Sequence, residues 1–140
     1  MCCLAAPLAA CGDDPGAPPA GCGEGGGAIL RALRAAPGHV RLVHTPLSGC
    51  LRDRADGDEV QLVGTGFVDA ASRLSPQAQR RPNGRDALEL GYLIAAAHRG
   101  RTHTQGVYDE LLRRLDQEAT TIDTHSPAYL RGERAGGAAG

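Results

Sequence analysis

The sequence predicts an all-α fold: a small up-down helical bundle of three main helices, preceded by one or two short N-terminal helices and flanked by disordered ends. Three observations carry this. Apolar residues recur at steps of three or four along residues 60–74, 88–97 and 107–119, the spacing of one helical face. The turns between these segments are only a few residues long, which favours antiparallel neighbours. Aromatic residues make up 3% of the 140 residues and Trp is absent, so the core must be built from Leu, Val, Ile and Ala. Such side chains suit close-packed helices better than a strand-rich sandwich.

The elements follow in order. Residues 28–36 suit a short helix, with Ile29, Leu33 and Ala36 on one face and Pro37-Gly38 as its stop. Val40-Arg41-Leu42-Val43 is a brief extended piece. Thr45-Pro46 resembles an N-cap followed by Pro at the first helical position, opening a short helix through Cys50 and Leu51. Asp56-Gly57 marks a turn. Asp58 with Gln61 then looks like a capping box, and Val60, Val63, Phe67, Ala70 and Leu74 form the first main stripe. Pro76 and Pro82-Asn83-Gly84 bracket its end.

Asp86 with Glu89 repeats the capping signature, and Leu90, Ile94 and Ala97 continue as the second stripe. Leu88, Tyr92 and Leu93 are apolar too, so this helix is expected to be the most buried. His98 and Arg99 suit its negative end and Gly100 its termination. Thr104 opens the third helix, whose inner face is Val107 or Tyr108, then Leu111, Leu115 and Ala119. Asp109 with Arg113, and Glu110 with Arg114, are i, i+4 ion pairs in the favourable order. Gly64, Gly66 and Gly91 interrupt two of these helices at about 1 kcal/mol each relative to Ala. Close helix–helix approach is one way to offset that.

Four segments result: a signal-like stretch over 1–10, a Gly/Pro-rich tether over 11–27, the helical domain over 28–126, and a disordered tail over 127–140. Leu8-Ala9-Ala10-Cys11 closes the first, an apolar residue and two small ones ahead of Cys. This resembles the lipobox of bacterial lipoproteins. The resemblance implies cleavage before Cys11, lipidation of Cys11 and an extracytoplasmic protein anchored to the membrane by lipid. After cleavage and lipidation, Cys22 and Cys50 remain of the five cysteines. Two is the right parity for one disulfide in an oxidising compartment. Residues 47–51, 91–100 and 104–115 are similar to small uncharacterised secreted proteins of high-G+C bacteria, a group that implies no activity.

The function expected is therefore that of a cell-envelope lipoprotein with a binding or structural domain and no catalysis. Its partners are the membrane and an unidentified envelope protein. Two alternatives belong to other classes. Residues 60–71 resemble the strand–turn–helix start of a dinucleotide-binding fold, with Gly64-Thr65-Gly66 as the turn of a cytoplasmic oxidoreductase. Asp69 occupies the third glycine position, and no further βα units follow. Residues 86–98 and 104–118 have the outline of a helix-turn-helix DNA reader with Arg99 and Arg101 in the turn. Asp109 and Glu110 at the start of the second helix would repel phosphate, and a net charge of −1 offers no basic footprint.

No cofactor or metal is expected. His39, His44, His98, His103 and His125 show no ligand spacing on one helix face, and no C-x2-C pair occurs. Ser48 lacks the flanking glycines of a nucleophile elbow. Asp86 and Glu89 are explained by capping.

Overall fold

The three apolar stripes fold as helices in the computed structural model, which describes residues 17–52, 55–101 and 106–140. Helix α2 (Gly57–Arg80) starts one residue after Asp56, whose Oδ1 accepts the Glu59 amide at 2.8 Å. The cap is thus two residues upstream of the expected Asp58, and Asp56-Gly57 is its first step rather than a separate turn. Val63, Phe67, Ala70 and Leu74 are buried as the stripe predicts. Helix α3 (Arg85–Arg101) is buried nearly all round and forms the centre of the molecule. Helix α4 (Asp109–Ala119) buries Tyr108, Leu111 and Leu115. Between Val107 and Tyr108, it is Tyr108 that turns inward. A four-residue turn at 81–84 sends α3 back along α2, and α4 packs on both. The fold is all-α apart from one small hairpin.

Ahead of this core, α1 (Gly26–Leu33) lays Ile29 and Leu33 against α2. Its last turn tightens into i→i−3 bonds through Ala36, so the α-helix stops before the expected boundary. The expected extended piece is half of a hairpin: β1 (Arg41–Leu42) pairs antiparallel with β2 (Thr45–Pro46), Leu42 opposite Thr45. Thr45 is therefore a strand residue rather than an N-cap, and the following helix is one 3₁₀ turn, Leu47–Cys50. Tyr92, at the middle of α3, accepts the Val40 amide through its hydroxyl at 3.2 Å, which ties hairpin to core.

Three boundaries differ for physical reasons. Pro76 does not end α2. The helix continues to Arg80 because Ala78 is fully buried and Ser75 Oγ donates to the Glu118 carbonyl at 3.2 Å. Tertiary packing outweighs the one hydrogen bond that proline removes. Gly100 does not end α3 either. A Cβ there would stand 2.7 Å from Leu51 Cδ1, so the glycine serves contact with the 3₁₀ turn. The expected disordered tail is helix α5 (Pro127–Ala139), capped by Ser126, whose hydroxyl accepts the Tyr129 amide at 3.3 Å.

Helix α5 makes the most extensive helix contact in the molecule, against α3. Ala128, Gly132, Gly136 and Gly140 recur every four residues on its inner face. A Cβ on Gly132 would stand 2.8 Å from the Leu88 carbonyl carbon, and one on Gly136 2.9 Å from Tyr92 Cα. From the other side, a Cβ on Gly91 would meet the Tyr129 carbonyl group and the Glu133 amide. Backbone touches backbone along this seam, so close approach, together with buried Tyr129, holds α5. Among the described residues no helix is long and apolar enough to cross a membrane.

Candidate functional site

The N-terminal segment expected to be a tether up to residue 27 is folded from Ala17 onward. Pro19 carbonyl accepts the Cys22 amide at 2.9 Å in a tight turn, and Gly21 continues it at φ +86°, a conformation that favours glycine. The turn aims Cys22 at the 3₁₀ turn, where it is bonded to Cys50. The two Cα atoms are 5.5 Å apart and both residues are wholly buried.

Two residues after Cys50, Arg52 fastens the same loop a second time. Its Nη2 donates to the Ala17 carbonyl at 2.7 Å, while Nε and Nη2 grip the Glu59 carboxylate at 2.9 Å each. Glu59 belongs to the first turn of α2 and its side chain has no exposed surface. The planar guanidinium satisfies both carboxylate oxygens at once. These bonds hold Arg52 above its ordinary pKa. The Tyr108 hydroxyl is buried beside this pair and makes no well-formed hydrogen bond among the described residues. Burial first, and then the Glu59 charge, raise the Tyr108 pKa.

Three large apolar side chains stay in water, two of them against this fastened loop. Among the described residues these are Val43 at 59% exposure, Leu62 at 47% and Val107 at 44%. Val43 is at the hairpin tip, with Cγ2 3.1 Å from where a Gly21 Cβ would stand. Leu62 lies on the outer face of α2, and its Cδ2 and Pro18 Cγ are each 3.0 Å from the corresponding position at Gly23. A groove of about 550 Å³ runs between Leu62 and the start of α1, with Asp58 and Asp69 in its walls. A smaller groove of about 270 Å³ separates Leu62's neighbours Gln61 and Thr65 from Val107 on the α4 side. Val43 has φ +57°, the left-handed region, which is a genuine outlier for a β-branched residue.

The other sequence-predicted residues do not assemble into a centre. Cys11 and the lipobox, His103 and Thr104 lie outside the described residues, and the helix expected to open at Thr104 begins only at Asp109, because residues 106–108 form a turn with Gly106 at φ +94°. Gly64-Thr65-Gly66 sits inside α2, so the expected strand–turn–helix is one continuous helix with no phosphate-cradling turn. Gly66 serves packing, since a Cβ there would be 3.2 Å from Gly25 Cα, whereas a Cβ on Gly64 would meet nothing within 4 Å. Nothing in the packing explains Gly64. In the supposed helix-turn-helix, Arg99 caps α5 through the Gly137 carbonyl at 2.8 Å, and Arg101 pairs with Asp109 at 3.1 Å. Arg113 pairs with Glu110 rather than with the expected Asp109.

His98 Nε2 meets Asp116 Oδ1 at 2.7 Å on the surface between α3 and α4. Glu89 is drawn to Arg85 Nε at 2.7 Å instead of capping α3. Ser48 is within the 3₁₀ turn, its hydroxyl donating to the Gly140 carbonyl. Among the described residues no three His, Cys, Asp or Glu side chains gather to hold a metal. No family model, no curated protein and no solved structure matches this chain.

Sequence reasoning missed the Arg52–Glu59 pair and gave Tyr108 only as an alternative on the inner face of the third helix. A weak signal existed for the pair: Glu59 stands third after Asp56, the glutamate position of a capping box. Its side chain turns to Arg52 instead, a partner that only the fold brings into reach.

Proposed function

We propose that this chain is an exported bacterial lipoprotein, anchored through Cys11, whose helical domain acts by binding or structural contact rather than by catalysis. The single observation that carries the proposal is the pairing of Cys22 with Cys50. They are the two cysteines downstream of the lipobox Leu8-Ala9-Ala10-Cys11, and a disulfide is maintained in oxidising compartments outside the cytoplasm. The described residues supply exposed apolar side chains beside a disulfide-fastened loop, which suit a binding or structural contact.

Metabolic labelling with a fatty-acid analogue in the native host tests this directly. Wild type is expected to take up the label and fractionate with the membrane. The Cys11→Ala variant is expected to remain unlabelled. Unlabelled wild type that retains residues 1–10 and stays in the cytoplasm would contradict the proposal.

A further inference from the structure

We infer that the corner formed by the Ala17–Gly23 loop, Val43 and Leu62 rests on the surface of the lipid bilayer that holds the anchor. This rests on the lipidation of Cys11 proposed above. The first argument is chain length. Ala17 is fastened to the domain by Arg52, and Cys22 by the disulfide, so only five residues lie between Cys11 and a fixed point. The six steps from Cys11 to Ala17 span at most about 22 Å however they are arranged. Ala17 therefore stays within that reach of the bilayer, and the face that bears it is the one held nearest to the surface.

What that face displays is the second argument. Val43 and Leu62, the two most exposed large apolar side chains among the described residues, flank this one loop. They touch the positions of Gly21 and Gly23, whose Cα atoms are at most about 7 Å apart. Val43 is also held at φ +57°, where a β-branched side chain is strained, and its contact at Gly21 leaves more than half of the residue in water. A strained, apolar, solvent-facing tip is explained by a contact outside the fold. Tethering makes such a contact intramolecular, so two side chains suffice where a free domain would need many.

The contact is apolar, not electrostatic. Asp58 and Asp69 line the groove beside Leu62, Asp69 is held by Arg73 at 3.0 Å, and exposed Arg41 lies beside Val43, so the corner carries charges of both signs and no basic excess to draw it to anionic headgroups. Occupancy is therefore expected to resist salt and to need no anionic lipid. This distinguishes it from the basic, charge-driven docking of most surface-bound segments.

The natural absence of Trp makes an introduced one the sole reporter. Full-length Val43→Trp, Leu62→Trp and Arg134→Trp, the last on the exposed face of α5, are purified from membranes carrying the fatty-acid label. Each is reconstituted into vesicles of plain or brominated phosphatidylcholine. Trp at 43 and 62 is expected to lose about half its emission in the brominated vesicles, as for a side chain at the headgroup–acyl boundary, and Trp at 134 very little. Equal emission at all three positions in labelled protein would overturn the docking surface and leave the anchor standing. Protein without label overturns both. Hydrogen exchange on the unsubstituted lipoprotein checks against misfolding of the variants: the Val43 and His44 amides are expected to exchange several-fold slower in vesicles than in detergent. Unchanged exchange there would also overturn the surface.

Discussion

Replacing Gly132 with Ala tests whether close backbone approach docks α5. Ordinary carbon contacts begin near 3.4 Å, yet the added methyl would stand 2.8 Å from the Leu88 carbonyl carbon and 3.0 Å from the Tyr92 amide nitrogen. Both neighbours are backbone of the central helix and cannot swing aside. Helix α5 must retreat, and a gap of 0.5–1 Å forfeits about a quarter to a half of each dispersion contact it widens. That loss reaches Tyr129, Ala128 and Gly136 as well, because all lie on the same seam. Overpacking against rigid backbone belongs at the upper end of its usual range, about 3 kcal/mol. The better helix propensity of Ala returns about 1 kcal/mol, leaving a net loss of about 2 kcal/mol. The control is Gly137→Ala on the same helix, where a Cβ meets nothing within 4 Å. It gains propensity without a clash and should stabilise by about 0.5 kcal/mol in this last turn. Urea unfolding followed by circular dichroism reads both. Were Gly132→Ala as stable as Gly137→Ala, α5 would not be packed against α3 and the reasoning from close approach would fail.

Arg52→Met leaves the buried Glu59 carboxylate unpaired and should destabilise by about 3 kcal/mol, whereas adding Glu59→Leu should recover most of it. Equal urea midpoints for the single and double variants would show that the pair is not buried. Val43→Gly relieves left-handed strain of about 1–2 kcal/mol, less the larger entropy of glycine in the unfolded chain, for a net gain of about 0.5–1 kcal/mol. A lower melting temperature would refute the strain. The same variant should weaken the bilayer contact, so stability and docking move in opposite directions. Burial, then Glu133 and Asp116, push the Tyr129 hydroxyl up to about 12. The folded protein keeps that proton where the unfolded chain has lost it, so Tyr129 favours the fold below about pH 10 and this is lost as pH rises toward 12. Alkaline unfolding of Tyr129→Phe should accordingly begin at higher pH, and an unchanged onset would contradict the assignment.

Much of this architecture was legible in the sequence because large apolar residues at helical spacing leave little choice of face. Val63, Phe67 and Leu74 point where their spacing puts them, and the near-continuous apolar surface of α3 marks it as central. The Cys22–Cys50 bond followed from parity. Helix α5 escaped because periodicity was sought in large side chains, and this helix is recognised by small ones. Its signs were Ser126-Pro127, a cap followed by proline, and glycine or alanine at every fourth position. High glycine content suggests disorder when the residues are counted and close packing when their spacing is read. The fastened corner was illegible for another reason. Arg52 reaches Ala17 across 35 residues and Glu59 across seven, and no local pattern announces a pair made by tertiary fold.

Intact-mass analysis of the protein extracted from host membranes, under non-reducing conditions, bears most directly on the proposed anchor and export. The expected species begins at Cys11, carries a diacylglycerol thioether, and is two hydrogens lighter than its reduced form, with Cys22 and Cys50 resistant to alkylation until reduction. A chain that retains residues 1–10, bears no lipid and alkylates at both cysteines without reductant would contradict it.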